Sequence, residues 1–239
     1  MTLRYDSTMA KDAATDPATG TWRELAVARS LDPARERAEK RVQRFLDAAL
    51  ELMSASADKE FTVQEVVERS GQSLRSFYQY FAGKYELLLA LFEESVRSTA
   101  AHLAEVVDKE SDPLEKLHAF AVEYYRICQP APKGKASKAG PTPAMAEFAQ
   151  QLLTDHAREA SRAFVPLVTL FEGLLEEAAT AGALRPDLDH QRIAGVVLQA
   201  IMFNAFAATI SGTSVRSDPE GAAQELWGLI LHGLGAPAS

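Results

Sequence analysis

Cysteine is nearly absent: Cys128 stands alone in 239 residues, so the chain has no disulfide framework and no cysteine-based zinc site. No apolar run approaches about 18 residues, so no membrane span is expected. Met1-Thr2-Leu3-Arg4-Tyr5-Asp6 has no apolar segment behind it that would read as a secretory leader. A cytoplasmic protein is expected. Runs of Val, Ile and Thr with a period of two are missing, which argues against strands and for an all-α fold. The five histidines, at 102, 118, 156, 190 and 232, include no His-x-x-x-His pair. Neither a Gly-rich phosphate loop nor a nucleophile elbow occurs. Asp187, Asp189 and His190 cluster where a helix cap belongs. No catalytic residue, metal or cofactor is therefore expected. Positive charge is also in short supply, with 25 Lys and Arg against 33 Asp and Glu and a formal net charge of -8. That weighs against a protein coating nucleic acid over its whole surface, but not against a local basic footprint.

What the chain does have is helical periodicity. Residues 1–34, with Asp16-Pro17, Gly20 and Asp32-Pro33, read as a flexible arm with one short helix around Trp22 to Arg29. A first firm helix follows from Arg35 to Ala55, its apolar stripe formed by Val42, Phe45, Leu46, Ala49 and Met53. Its first turns carry Arg35, Arg37, Lys40, Arg41 and Arg44 against Glu36 and Glu39. Basic groups there oppose the helix macrodipole, so helix stability did not select them. Either an anionic partner or an ordinary solvated face explains them.

Thr62-Val63-Gln64-Glu65 spells a capping box that opens a second helix, with Val63, Val66 and Val67 facing inward. Ser70-Gly71 ends it, because glycine accepts the left-handed conformation of a helix stop. Ser73 offers a new N-cap at once. Two short helices joined by so tight a Gly-containing turn make a helix-turn-helix. On the third helix, a spacing of about 100° per residue puts Leu74, Phe77, Tyr78 and Phe81 inward, and Arg75, Ser76, Gln79 and Tyr80 outward. The outward groups are those that read base edges and phosphates in a major groove.

The stretch FTVQEVVERSGQSLRSFYQYFAGKYELL, residues 61–88, resembles the DNA-binding domain of the tetracycline-repressor (TetR) family of transcription regulators. Phe61-Thr62, Gly71, Ser73, Phe77-Tyr78, Tyr80-Phe81 and Lys84 fill that family's pattern, and the helix from Arg35 to Ala55 fits its first helix. The sequence departs from it at Val67, Gln72 and Leu74, where the family favours alanine, a small apolar residue and a polar residue. The resemblance implies base or phosphate contacts from Arg75, Ser76 and Gln79. It implies backbone contacts from Tyr78, Tyr80 and Lys84, with Thr62 and Gln64 contributing from the first motif helix. For Tyr78, the spacing also allows the ring to pack inward with only its hydroxyl reaching out. Arg37, Lys40, Arg41 and Arg44 are further candidates.

The helix-turn-helix domain thus covers residues 35–84, and residues 85–239 read as a larger domain of about six helices. The first should run from Tyr85 to Val107 with Leu88, Leu91, Phe92 and Val96 inward. Asp112-Pro113 caps the next, with Leu114, Leu117, Phe120, Ala121 and Tyr124 as its stripe. Residues 130–143 read as a Pro-, Gly- and Lys-rich loop carrying Lys133, Lys135 and Lys138. Helices resume near Ala144, Pro166 suggests a start or kink, and Gly182 ends that helix. Ile193 to Ile210 is apolar nearly all round, as expected of a helix buried on both sides or in a partner. Asp218-Pro219 opens the last helix.

The resemblance implies a homodimer through the last two helices, a double-stranded DNA operator with palindromic half-sites, and an effector bound among the middle helices. Repression is the family's habit, and the apolar middle helices suggest a largely hydrophobic effector. His118, with Tyr125 and Cys128 near it, is either a pocket contact or a satisfied core histidine. Asn204 is either a pocket group or an interface hydrogen bond. The competing reading is a helical small-molecule-binding protein or enzyme without DNA binding.

Overall fold

The computed structural model describes residues 22–55, 61–129, 143–185, 187–211 and 219–234. These fold into α1 (Trp22–Ala55), α2 (Val63–Ser70), α3 (Leu74–Tyr80), α4 (Lys84–Val107), α5 (Pro113–Cys128), α6 (Pro143–Asp155), α7 (Ala157–Thr180), α8 (His190–Ser211) and α9 (Pro219–Leu234). Among the described residues the fold is all-α, with six helices after the helix-turn-helix, as the periodicity implies. Lys133, Lys135, Lys138 and Asp218 lie outside the described residues.

The chain divides within α1 into two units, Met1–Arg44 and Phe45–Ser239. In the first unit, α1 starts at Trp22 rather than Arg35 and runs through Pro33. The expected break at Asp32-Pro33 does not occur. Proline forfeits one backbone hydrogen bond, but its fixed φ is itself helical, and good helix formers flank it on both sides.

In the second unit, Phe45, Leu46, Ala49 and Met53 of α1 are buried together with Val66 and Val67 of α2 and Phe77 of α3. The rings of Phe45 and Phe77 meet edge to face at 5.5 Å, and Phe45 also meets Phe81 at 6.1 Å. Arg69 of α2 reaches Glu51 of α1 at 3.2 Å. Three short apolar stripes thereby share one small core.

α4 packs on α5 and α7, α5 also on α9, and α8 on α6 and α7. Phe120 and Phe171 stack at 4.7 Å in the middle of this bundle, where Leu103, Leu117, Leu167, Leu175 and Ile201 are also fully enclosed. The inward stripe of α4 begins at Leu87, with Leu88 only half-buried. α7 carries Pro166 in its interior rather than at its start, and stops where Gly182 takes φ 75°. Asp112 caps α5 by accepting from the Leu114 and Glu115 amides.

Of the two expectations for α8, cover on both sides by its own chain is not met. Ala194, Leu198, Ile201, Met202 and Ala205 are buried along one stripe. On the opposite side Val196 is 60% exposed and Phe203 37%, with exposed Ala200 between them. Leu229 of α9 is 74% exposed. One bundle therefore covers only one side of α8.

Candidate nucleic-acid interface

The helix-turn-helix is built by its caps. The Thr62 hydroxyl accepts from the Glu65 amide while the Glu65 carboxylate accepts from the Thr62 amide at 2.7 Å. Both orphan donors are thus satisfied reciprocally. Gly71 adopts φ 63°, ψ 25° and closes α2 with its amide on the Glu68 and Val67 carbonyls. Two residues later, the Ser73 hydroxyl accepts from the Ser76 amide at 3.1 Å and starts α3.

α3 lies differently about its axis from the sequence-based arc. Phe77 is fully enclosed, but Leu74 is 43% and Tyr78 56% exposed, and Arg75 and Gln79 are exposed beside them. These four cover one arc of about 140°. Ser76 and Tyr80 fall on the half-buried side, and the Ser76 oxygen is enclosed without a hydrogen-bond partner. The cause is Phe81. It is the residue after the helix, with φ −133° and ψ 130°, so helical spacing does not apply to it. With Phe81 taken out of the helical arc, Phe77 alone sets the inward direction. Leu74, as the first helical residue, has no preceding turn to cover it. The Tyr78 ring rests its edge on Phe77 at 5.4 Å and otherwise faces outward.

Lys84, the first residue of α4, holds its ammonium 4.8 Å from the centre of the Phe61 ring. The Ala82 amide donates to Glu86 at 2.7 Å and fixes the turn in front of it. Thr62 and Gln64 are exposed at the start of α2, with the Gln64 amide donating to Glu68 at 3.0 Å. The outward surface of this domain thus combines a guanidinium, two amides, a phenol and one apolar side chain. Sequence reasoning missed Leu74. The signal for it was the Ser73 cap, which makes residue 74 the start of the helix.

Residues 45–91 match the family model of bacterial regulatory proteins of the tetR family. Over that segment, which holds the helix-turn-helix, the chain is similar to tetR-family regulators. The fold is shared over most of the chain's length with solved structures. One is a TetR-family transcriptional regulator from Pectobacterium atrosepticum, 16% identical, covering 86% of this chain and 99% of that one with a TM-score of 0.64. A second is RolR in complex with resorcinol, 18% identical, covering 85% and 92% with a TM-score of 0.61. A third is FadR from Bacillus subtilis in complex with stearoyl-CoA, 15% identical, covering 80% and 98% with a TM-score of 0.58. No curated protein sequence matches the chain.

The candidate effector residues have different surroundings. His118 sets its Nε2 3.0 Å from the Gln224 oxygen, its Nδ1 3.5 Å from Glu115, and its ring 5.3 Å from Trp227. It joins α5 to α9. Glu115 and His118 have the Glu-x-x-His spacing, yet among the described residues no group of three or more His, Cys, Asp or Glu is placed to hold a metal. Tyr125 and Cys128 are buried in α5. Burial pushes the Cys128 thiol up to about 12, partly offset by a hydrogen bond with Tyr124. Asn204 lies within α8, but its side chain is outside the described residues. No described helix is long and apolar enough to cross a membrane.

Proposed function

We propose that this protein is a cytoplasmic, ligand-responsive repressor that binds a palindromic operator as a homodimer and releases it when a small, largely apolar effector binds. The observation that carries the DNA-reading part is the outward face of α3, where Arg75 and Gln79 stand exposed on a helix pinned by the enclosed Phe77. Arg75 offers a fork donor suited to guanine and Gln79 an amide suited to adenine. Leu74 adds an apolar surface suited to the thymine methyl group. Tyr78, Lys84, Thr62 and Gln64 hold phosphates, as does the Tyr80 hydroxyl from the edge of the helix. Ser76, with its oxygen enclosed, supports the helix from behind. On this reading residues 1–34 form an arm, 35–84 the DNA-binding domain and 85–239 the effector and dimerisation domain.

Dimerisation is supported by the uncovered side of α8, where Val196, Ala200 and Phe203 follow one another at helical spacing, and by Leu229 on α9. Apolar groups this exposed favour a partner surface. A two-fold dimer presents two α3 helices to half-sites about one duplex turn apart. Effector release requires tighter binding to one of two dimer states, since equal affinity shifts nothing. The bound stearoyl-CoA and resorcinol in FadR and RolR support an effector with a large apolar or aromatic part.

Selection from random-sequence duplex DNA at moderate salt tests this function. The expected product is a palindrome with half-sites about 10 base pairs apart. No enrichment by folded, dimeric protein would overturn the DNA-reading role.

A further inference from the structure

Lys84 sits where its own helix does not favour it. It is the first residue of α4, and a cation at a helix N-terminus opposes the macrodipole. Gly83 precedes it and offers no side-chain cap. The face of the Phe61 ring meets the ammonium, with 4.8 Å from Nζ to the ring centre. That lies within the ~6 Å over which a cation is drawn to the negative face of an aromatic ring. The ring itself has little freedom. Phe61 is buried, and the next residue, Thr62, is locked by its reciprocal cap with Glu65. On the other side, the Ala82 amide on the Glu86 carboxylate holds the turn that delivers Lys84. A long, flexible side chain thus rests on a rigid one.

We propose that Phe61 is a positioning residue for operator binding, its ring directing the Lys84 ammonium toward a backbone phosphate before DNA arrives. The inference rests on the DNA-reading function above, and it adds to that function a residue with no donor or acceptor on its side chain. The gain is one of order. A free lysine side chain keeps many rotamers, and fixing one of them on binding costs affinity. Against the ring, that ordering is completed on folding instead. An ammonium carries three N–H donors, so one side can lie on the ring while another reaches a phosphate oxygen. The ring also stands between groups assigned to phosphates, since Thr62 follows it in sequence and Lys84 lies on its face. It thereby sets the spacing at which the two meet the DNA backbone. A role of this kind changes affinity without changing which bases are read or how many phosphates are neutralised.

The test replaces Phe61 in the full-length protein by a phenylalanine fluorinated on its ring. Fluorination keeps the shape of the side chain and removes the negative face. Fluorescence anisotropy would compare the fluorinated and ordinary proteins on the selected duplex over a range of salt, each with and without Lys84→Ala. Circular dichroism should show all of them equally helical. With Lys84 present, fluorination should weaken binding about 2- to 5-fold per subunit. The same palindrome should be selected, and the slope of log K against log salt should not change. Lys84→Ala should lower that slope by about 0.9 for the phosphate it gives up, and fluorination should then have no further effect. Equal losses with and without Lys84 would assign the ring to packing alone and overturn the positioning role, as would no loss in either. Failure of the wild type to enrich any duplex would overturn the DNA-reading function, and the positioning role with it.

Discussion

Replacing Phe77 by alanine should unfold the recognition helix without touching a single outward group. The ring is fully enclosed and meets Phe45 at 5.5 Å and Phe81 at 5.4 Å. Truncating a buried phenylalanine to alanine costs about 3–5 kcal/mol, and the edge-to-face contacts place this one toward the upper end. Domains are stable by only about 5–15 kcal/mol, and each kcal/mol moves the midpoint of a chain this size by about 2–4 °C. A fall of roughly 6–20 °C follows for a two-state transition. Gln79, two residues along but on the exposed side, should change stability by less than about 0.5 kcal/mol when replaced by alanine. Urea unfolding followed by circular dichroism would measure both, and amide exchange in α2 and α3 would show whether the loss is local. Operator titration completes the comparison. Phe77→Ala should bind in proportion to its folded fraction, whereas Gln79→Ala should fold like the wild type and still bind poorly. A cost below about 1 kcal/mol for Phe77→Ala, outside the range for a buried ring, would refute the assignment of faces on α3.

Lys84→Ala should weaken binding to every duplex alike and lower the salt slope by about 1, whereas Gln79→Ala should change the preferred sequence; equal, sequence-blind losses from both would remove those roles. Thr62→Ala breaks a reciprocal cap and should cost about 1 kcal/mol in urea unfolding. Gly71→Ala meets no neighbouring atom, so any loss reflects φ 63° alone and should be about 1–2 kcal/mol. Cys128 should resist thiol reagents at pH 8 in the folded protein and react freely in urea. Its folded proton is held to about 12, while the unfolded thiol releases it near 8.5. Between those values the unfolded state binds fewer protons, so stability should fall as pH rises, by up to about 1.4 kcal/mol per pH unit. Cys128→Ala should flatten that fall. Tyr124, its hydroxyl also held well above the ordinary value by burial, leaves a remainder at high pH.

Features set by neighbours in sequence were readable before the structure. The Thr62–Glu65 box, the Gly71 stop, the Ser73 cap and Asp112 before Pro113 each depend on atoms within four residues, and each stands where the residues imply. Features set by where a helix ends, or by what lies across from it, were not. Phe81 belongs to the aromatic pattern of α3 but not to its helix, and including it turned Leu74 and Tyr78 inward and Ser76 and Tyr80 outward. Pro33 reads as a break because a lone proline carries no record of the helix on both sides of it. The apolar circumference of α8 shows that it needs cover all round, but a single chain cannot say which side a partner supplies. His118 reads from its arc as either a pocket contact or a core histidine, and only the arrival of Gln224 and Trp227 from α9 shows that its Nε2 and its ring are engaged.

The seven-residue length of α3 has an evolutionary consequence. A helix so short cannot persist by its own hydrogen bonds, and its shape is borrowed from Phe45, Phe77 and Phe81 behind it. Exchanging Leu74, Arg75 or Gln79 therefore leaves the source of its shape untouched. Descendants of this chain can acquire new operators by changes confined to those three codons, each nearly neutral for folding. The same partition makes α3 a site where specificity can be rewritten experimentally on an unchanged scaffold.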